Sequence, residues 1–229
     1  MNEGLKGVAK FTLGFLIRLY EKAGFRVRKY EQMYKLETEG TLEGKAKEAW
    51  IGSYYGDNRV SVSRRADRLA SEIFKLRPKT ILEIGCGFGY FLDRMQTLTK
   101  ADCTGIDMQS NAIDLGKERF PKLRLIVANC LNYNPKKVYD VIFTSSFFSY
   151  TNKEVTEQCI KRYAKTAKYF VICEVMAKNL NNQQYFETRI SNRHHDYWGM
   201  LRAAGFDIVS EMKLDRSDPR TIIVAKRTV

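Results

Sequence analysis

Histidine is almost missing from this chain: there are 2 in 229 residues, the neighbours His194 and His195. Cysteine is also thin. The five are Cys86, Cys103, Cys130, Cys159 and Cys173, and no two stand in C-x-x-C spacing. A structural zinc site needs a tighter set of nitrogen and sulfur donors, so no metal is assigned. An odd, scattered cysteine count argues against a disulfide scaffold and for free thiols in a reducing compartment. Only 4 prolines occur, which excludes a linker-rich organisation. No apolar run approaches the roughly 18 residues of a spanning helix. The N-terminus shows no secretory pattern. The expected location is the cytoplasm, with peripheral membrane contact left open.

What is present is a globular composition, 44% hydrophobic and 28% charged. The length allows one sizeable core and is marginal for two. Charge is the unusual feature, with 39 Lys and Arg against 26 Asp and Glu, a formal +13. Such a surface draws anions: nucleic acid, acidic lipid headgroups or phosphorylated small molecules. Net charge does not choose among them, and a solvated basic surface explains it equally.

Residues 5–22 place Leu5, Val8, Phe11, Phe15, Leu16 and Leu19 on one helical face. Residues 1–30 hold 7 Lys or Arg and 2 Glu, a net +5. Basic and amphipathic together fit an anionic membrane surface, and the same pattern suits a helix packed on the domain or on a partner, which is the favoured reading. Residues 1–60 read as an N-terminal helical extension and lid, and 61–229 as the main domain. Tyr54 and Tyr55 lie in the extension's glycine-bearing loop.

A helical pattern covers 61–76 and stops before Pro78. From Thr80 the period alternates. Strands are expected at Ile81–Ile84, Asp102–Asp107, Leu123–Val127, Val138–Phe143 and Tyr169–Cys173. Helices are expected at Phe91–Leu98, Asn111–Arg119, from a Thr151-x-x-Glu154 capping box to Ala164, and near Asp196–Ala204. Two last strands, Asp207–Lys213 and Thr221–Ala225, flank the turn Asp218-Pro219. Short loops between strand–helix units imply a mainly parallel sheet covered on both faces. The final pair should be antiparallel, since a parallel return needs a longer crossover.

The chemistry concentrates at Glu83-Ile84-Gly85-Cys86-Gly87-Phe88-Gly89, directly after the first strand. Residues without Cβ let the chain turn tightly and approach a ligand. The helix that follows offers free N–H groups to a carboxylate or polar edge. Asp107 ends the next strand 22 residues after Gly85, where a carboxylate can accept from ribose hydroxyls.

Residues 81–107 resemble the cofactor half of the class I S-adenosylmethionine-dependent methyltransferases, whose loop reads E-x-G-x-G-x-G. The segments Tyr139–Ile142 and Leu201–Phe206 extend the resemblance. It implies an α/β, Rossmann-like three-layer sandwich: a seven-stranded, mainly parallel sheet of order 3-2-1-4-5-7-6 with strand 7 antiparallel. It also implies S-adenosyl-L-methionine as cofactor. By the same resemblance, Gly85 and Gly87 approach the methionine portion and Glu83 serves its amino end. Asp107 binds the ribose, and Met108 packs on adenine. Asn129 and Cys130 meet the adenine edge, with Asn129 standing where the family usually has Asp. Thr144 and Ser145 lie beneath the methyl group, Tyr54 or Tyr55 closes over the methionine end, and Cys86 and Leu131 complete the set.

The acceptor side is less marked. His194, His195 and Glu174 are the candidate acid–base groups. His195 or Asp196 is equally a helix cap. Arg193 is a candidate for an anionic substrate group, and Phe147, Phe148 and Tyr150 for the pocket wall. The exit Thr144-Ser145-Ser146-Phe147-Phe148-Ser149-Tyr150 lacks the N-P-P-Y or D-P-P-Y signature resembling amino-methylating enzymes. The leading expectation is O-methylation of a small-molecule or glycan-like acceptor. RNA, protein, or an idle cofactor-binding role are the alternatives.

Overall fold

The computed structural model describes residues 59–176, 195–214 and 218–228. Tyr54, Tyr55, Arg193, His194 and the amphipathic segment 5–22 lie outside these residues.

The helix expected before Pro78 is α1 (Arg59–Lys75). Its Ala66, Leu69, Ala70 and Ile73 fall at helical spacing and are buried. Burying a Leu or Ile fully contributes roughly 1.5–3 kcal/mol, which holds the helix to the sheet. The chain then alternates: β1 (Thr80–Ile84), α2 (Tyr90–Thr99), β2 (Asp102–Asp107), α3 (Ser110–Arg119) and β3 (Arg124–Val127). β4 (Tyr139–Ser145) leads through a 3₁₀ turn, Phe148–Tyr150, into α4 (Lys153–Ala164). β5 (Ala167–Val175), α5 (Tyr197–Ala203), β6 (Phe206–Lys213) and β7 (Arg220–Arg227) complete the described elements.

The sheet has seven strands in the order β3-β2-β1-β4-β5-β7-β6. β1 pairs in parallel with β2 and β4, β2 with β3, and β4 with β5. β7 is antiparallel to both β5 and β6. The expected topology is therefore the observed one. Its order turns back between β1 and β4, opening a crevice at their carboxyl ends.

Alternate residues of each strand feed two cores. Ile81, Cys103, Val141, Phe143, Val171, Cys173, Ile222 and Val224 pack beneath α1, α2 and α3. Leu82, Ile84, Ile106, Ile142, Phe170, Ile172 and Ile223 pack against α4 and α5. Burial on both faces explains why the central strands read as apolar runs.

One local expectation shifts. The cap of α4 is Asn152, whose Oδ1 accepts from the Val155 N–H at 2.8 Å. Thr151 Oγ1 instead donates to the Phe148 carbonyl at 3.0 Å. Both residue types cap helices, and the 3₁₀ turn claims Thr151 first. For α5 the cap is Asp196, whose Oδ1 accepts from the Gly199 N–H at 3.0 Å.

Candidate active site

β1 delivers its carboxyl end into a turn built from three left-handed glycines. Gly85, Gly87 and Gly89 have φ of 72°, 54° and 89°. The turn is stitched to β2: the Gly85 and Cys86 N–H groups donate to the Ile106 carbonyl at 2.9 and 3.1 Å. The Asp107 carboxylate then reaches across. It accepts from the Gly87 N–H at 2.8 Å and the Gln109 N–H at 3.0 Å. Burial raises the Asp107 pKa, and these amides pull it part of the way back.

Behind the turn sits Glu83, 2% exposed. Its Oε2 is buried and has no hydrogen-bond partner among the described residues. Burial, then the nearby Asp107 charge, pushes its pKa well above the usual carboxylate range. An orphaned carboxylate oxygen costs about 1–3 kcal/mol. A cationic ligand group offsets that cost, and the amino end of a methionine-type ligand carries one. The Phe147 ring packs so closely on Gly85 that a Cβ there would clash with it, so the chain's own packing requires glycine at this turn. One further feature fits S-adenosylmethionine. Met108, just after Asp107, is 53% exposed and offers a flexible apolar side chain to a flat base.

The β3 exit supplies the opposite wall. Asn129 is exposed, and its Oδ1 accepts from the Leu131 N–H at 2.8 Å. The oxygen expected to meet an adenine amine is therefore first committed to its own turn, with a second lone pair left over. Cys130 and Leu131 are half-buried, and the Cys130 carbonyl accepts from Tyr163 Oη at 2.9 Å. Cys86 is 5% exposed, and burial pushes its thiol pKa well up.

The floor is the end of β4. Thr144 is fully buried, and its Oγ1 and Ser145 Oγ are both buried without a described partner. Beyond it, Ser146 adopts φ 60°, an uncommon value for a residue with a side chain. Phe147 is half-buried beside Gly85, and Tyr150 is 56% exposed. Phe148 departs from its expected place on the pocket wall. It is fully buried and stacks on Tyr197 at 6.1 Å, because the 3₁₀ turn points it into the α4–α5 core.

Glu174 and His195 both hold this exit segment. Glu174 is fully buried; its Oε1 accepts from the Phe148 N–H at 2.9 Å and its Oε2 from Ser149 Oγ at 2.7 Å. Burial raises its pKa, while the Ser149 and Phe148 bonds oppose the rise. His195 Nε2 faces two carbonyls, Phe148 O at 3.1 Å and Thr151 O at 3.0 Å. Carbonyls only accept, so this nitrogen carries the proton. Both groups are thus engaged in positioning the residues around Phe147.

Sequence reasoning missed four residues at the same edge: Arg65, Ser146, Asp218 and Arg220. Arg65 Nε donates to Asp218 Oδ2 at 2.8 Å, and Arg220 Nη1 donates to Asp218 Oδ1 at 2.8 Å. Both arginines also donate to Ser146 Oγ, at 3.2 and 2.9 Å. No local pattern could reveal them, since Arg65 and Asp218 are 153 residues apart.

Comparison with known proteins agrees with this geometry. Residues 81–169 match the family model described as a methyltransferase domain. The chain is 33% identical over 107 residues to malonyl-[acyl-carrier protein] O-methyltransferase 1 of Ilyobacter polytropus, covering 43% of this chain and 39% of that protein. It is 26% identical over 102 residues to trans-aconitate 2-methyltransferase of Rhodopseudomonas palustris, covering 44% and 40%. The matched part thus spans about two fifths of each of these two relatives. The N-methyltransferase NodS of Bradyrhizobium japonicum, solved with S-adenosyl-L-homocysteine, superposes with a TM-score of 0.60 at 15% identity, covering 77% of this chain and 91% of that one.

Proposed function

We propose that this chain, whose residues 81–169 match the methyltransferase-domain model, is a class I S-adenosylmethionine-dependent methyltransferase that methylates an oxygen of a small-molecule acceptor at the carboxyl ends of β1 and β4. The observation that carries the reading is the Gly85–Gly89 turn. It is braced by Asp107 and backed by the unpartnered Glu83 oxygen, with the hydroxyl- and aromatic-rich β4 exit beside it.

When bound, S-adenosylmethionine supplies an electrophilic methyl on a sulfonium sulfur. The chain's own task is then positioning, which can contribute much of the rate by itself. Glu83 faces the ligand's ammonium group. Asp107 holds the glycine turn in shape and presents its carboxylate to the ribose. Met108, Cys130 and Leu131 enclose the base. Phe147, set against Gly85, borders the space where donor and acceptor meet. Glu174, His195 and Ser146 fix that border from three sides.

Oxygen is favoured over nitrogen by the β4 exit, which lacks the amino-methylating signature, and by O-methyltransferases among the curated relatives. NodS, an N-methyltransferase, shares the fold, so the fold is neutral on this point. The test supplies methyl-labelled S-adenosylmethionine to the purified chain with separated RNA, protein, lipid and small-metabolite fractions. Label should enter the small-metabolite fraction on oxygen. Label confined to RNA or protein would replace this reading.

A further inference from the structure

Four residues from distant parts of the chain meet where β4 leaves the sheet. Arg65 comes from α1, Ser146 follows β4, Asp218 lies just before β7, and Arg220 opens it. The cluster is largely enclosed: the side chains of Arg65, Asp218 and Arg220 are 11%, 6% and 19% exposed. Two guanidinium groups share one carboxylate. Among the described residues the other acid nearby is Glu174, and its two oxygens already accept from Phe148 N–H and Ser149 Oγ. The bonds to Asp218 and Ser146 use Nε and Nη1 of each arginine, so Nη2 of both falls outside this set.

Position gives the cluster its meaning. Ser146 directly precedes Phe147, whose ring lies on Gly85. Ser145, one residue earlier, pairs with Cys173 of the α1-facing core, and its Oγ is buried without a described partner. An arginine fork and a hydroxyl without a described partner therefore lie on the two residues that precede Phe147, beside the Gly85 turn. Two enclosed cations around one carboxylate form a receptor for a further anion, and guanidinium matches a carboxylate in planar geometry.

We propose that Arg65 and Arg220 seat the acceptor's carboxylate, and that the methylated oxygen belongs to a carboxylic acid. This rests on the methyltransfer reading above. It also explains why the described acid–base candidates are otherwise occupied: His195 Nε2 donates to carbonyls and Glu174 is capped. A carboxylic acid with a pKa near ~4 is already ionised at neutral pH and needs no general base. One carboxylate oxygen is held by the guanidinium Nη2 edges. The other attacks the methyl carbon. The O–C bond forms, the C–S bond breaks, and its electron pair returns to sulfur, leaving S-adenosylhomocysteine and a methyl ester. No proton moves.

The ester supplies the test. The full chain is incubated with methyl-labelled S-adenosylmethionine and a panel of mono-, di- and tricarboxylic acids, each beside its primary amide and the matching alcohol. Label is expected in an acid but not its amide or alcohol, and mild alkali should release it as volatile methanol. Arg220→Met should lower kcat/KM for that acid by roughly 10- to 100-fold, the scale of one lost charged hydrogen bond. Arg220→Lys, which keeps charge but loses the fork, should fall between. Both variants should still bind S-adenosylhomocysteine saturably by calorimetry, with a smaller loss than in kcat/KM for the acid, which shows that the donor seat is folded. Alkali-stable label, transfer to amide or alcohol alone, no acid accepting while S-adenosylhomocysteine binds, or undiminished kcat/KM in Arg220→Met each overturns the carboxylate seat. Failure of the parent chain to bind S-adenosylhomocysteine would instead remove the methyltransfer reading beneath it.

Discussion

Gly85→Ala is expected to weaken binding of S-adenosylhomocysteine by about 100-fold or more and to lower the melting temperature. Two costs act together. Gly85 sits at φ 72°, where a side chain costs about 1–3 kcal/mol. The new Cβ also collides with the Phe147 ring, and overpacking of this kind costs typically about 1–3 kcal/mol. Phe147 cannot step aside freely. Arg65 and Arg220 hold Ser146 on one side, and Glu174 holds Phe148 and Ser149 on the other. The turn must move instead, carrying the Gly87 N–H away from Asp107. Calorimetric titration and a melting curve check both effects. Parental affinity in the variant would remove Gly85 from the donor seat.

Glu83→Gln is expected to act in opposite directions on stability and on binding. The Glu83 carboxyl is fully enclosed, and burial with the Asp107 charge raises its folded pKa well above the usual range. A raised carboxyl pKa means the folded chain favours the protonated form. The contribution is fully present below the unfolded pKa of about 4.3, and it is lost as pH rises through the folded value. Removing the ionisable group should therefore make the ligand-free chain more stable than the parent at neutral pH. The gap should open above about pH 4.3 and widen until the folded pKa is passed. The same change removes the countercharge for the ligand's ammonium group, so affinity for S-adenosylhomocysteine should fall by roughly 10- to 100-fold. Denaturant unfolding across pH, with calorimetry at neutral pH, reads both. A variant that is less stable than the parent at neutral pH and binds equally well would show that Glu83 is a structural carboxylate only.

The contrast between these residues and the Arg65 cluster shows what a sequence makes legible. Glu83, Gly85, Gly87, Gly89 and Asp107 lie within 25 positions and are placed by one strand–turn–helix–strand unit. Their roles follow from local chain geometry, so they could be read before any tertiary structure was known. The strand order followed from the same resemblance, and the antiparallel β6–β7 pair from the short turn between them.

Strand ends were harder to read. β5 runs over Ala167–Val175, longer than its expected core Tyr169–Cys173, because burial on both faces leaves no alternation to mark its limits. At the exit of β4, a 3₁₀ turn decides which aromatic faces the site. Phe147 meets Gly85, while its neighbour Phe148 enters the core. Residue type cannot separate two adjacent phenylalanines; backbone direction can. Arg65, Ser146, Asp218 and Arg220 have no common sequence signal at all. Only the sheet order, which sets β7 beside β5 and α1 over the same edge, brings them together.

The central claim is that the Glu83–Gly89 turn and Asp107 form a seat for the methyl donor. Its most direct test is a calorimetric titration of S-adenosylhomocysteine into the purified chain and into Asp107→Ala. The parent should bind one equivalent saturably. The variant loses the acceptor for the Gly87 and Gln109 N–H groups and for the ribose, and should bind at least about 10-fold more weakly. No binding by the parent, or equal binding by both proteins, would contradict the account.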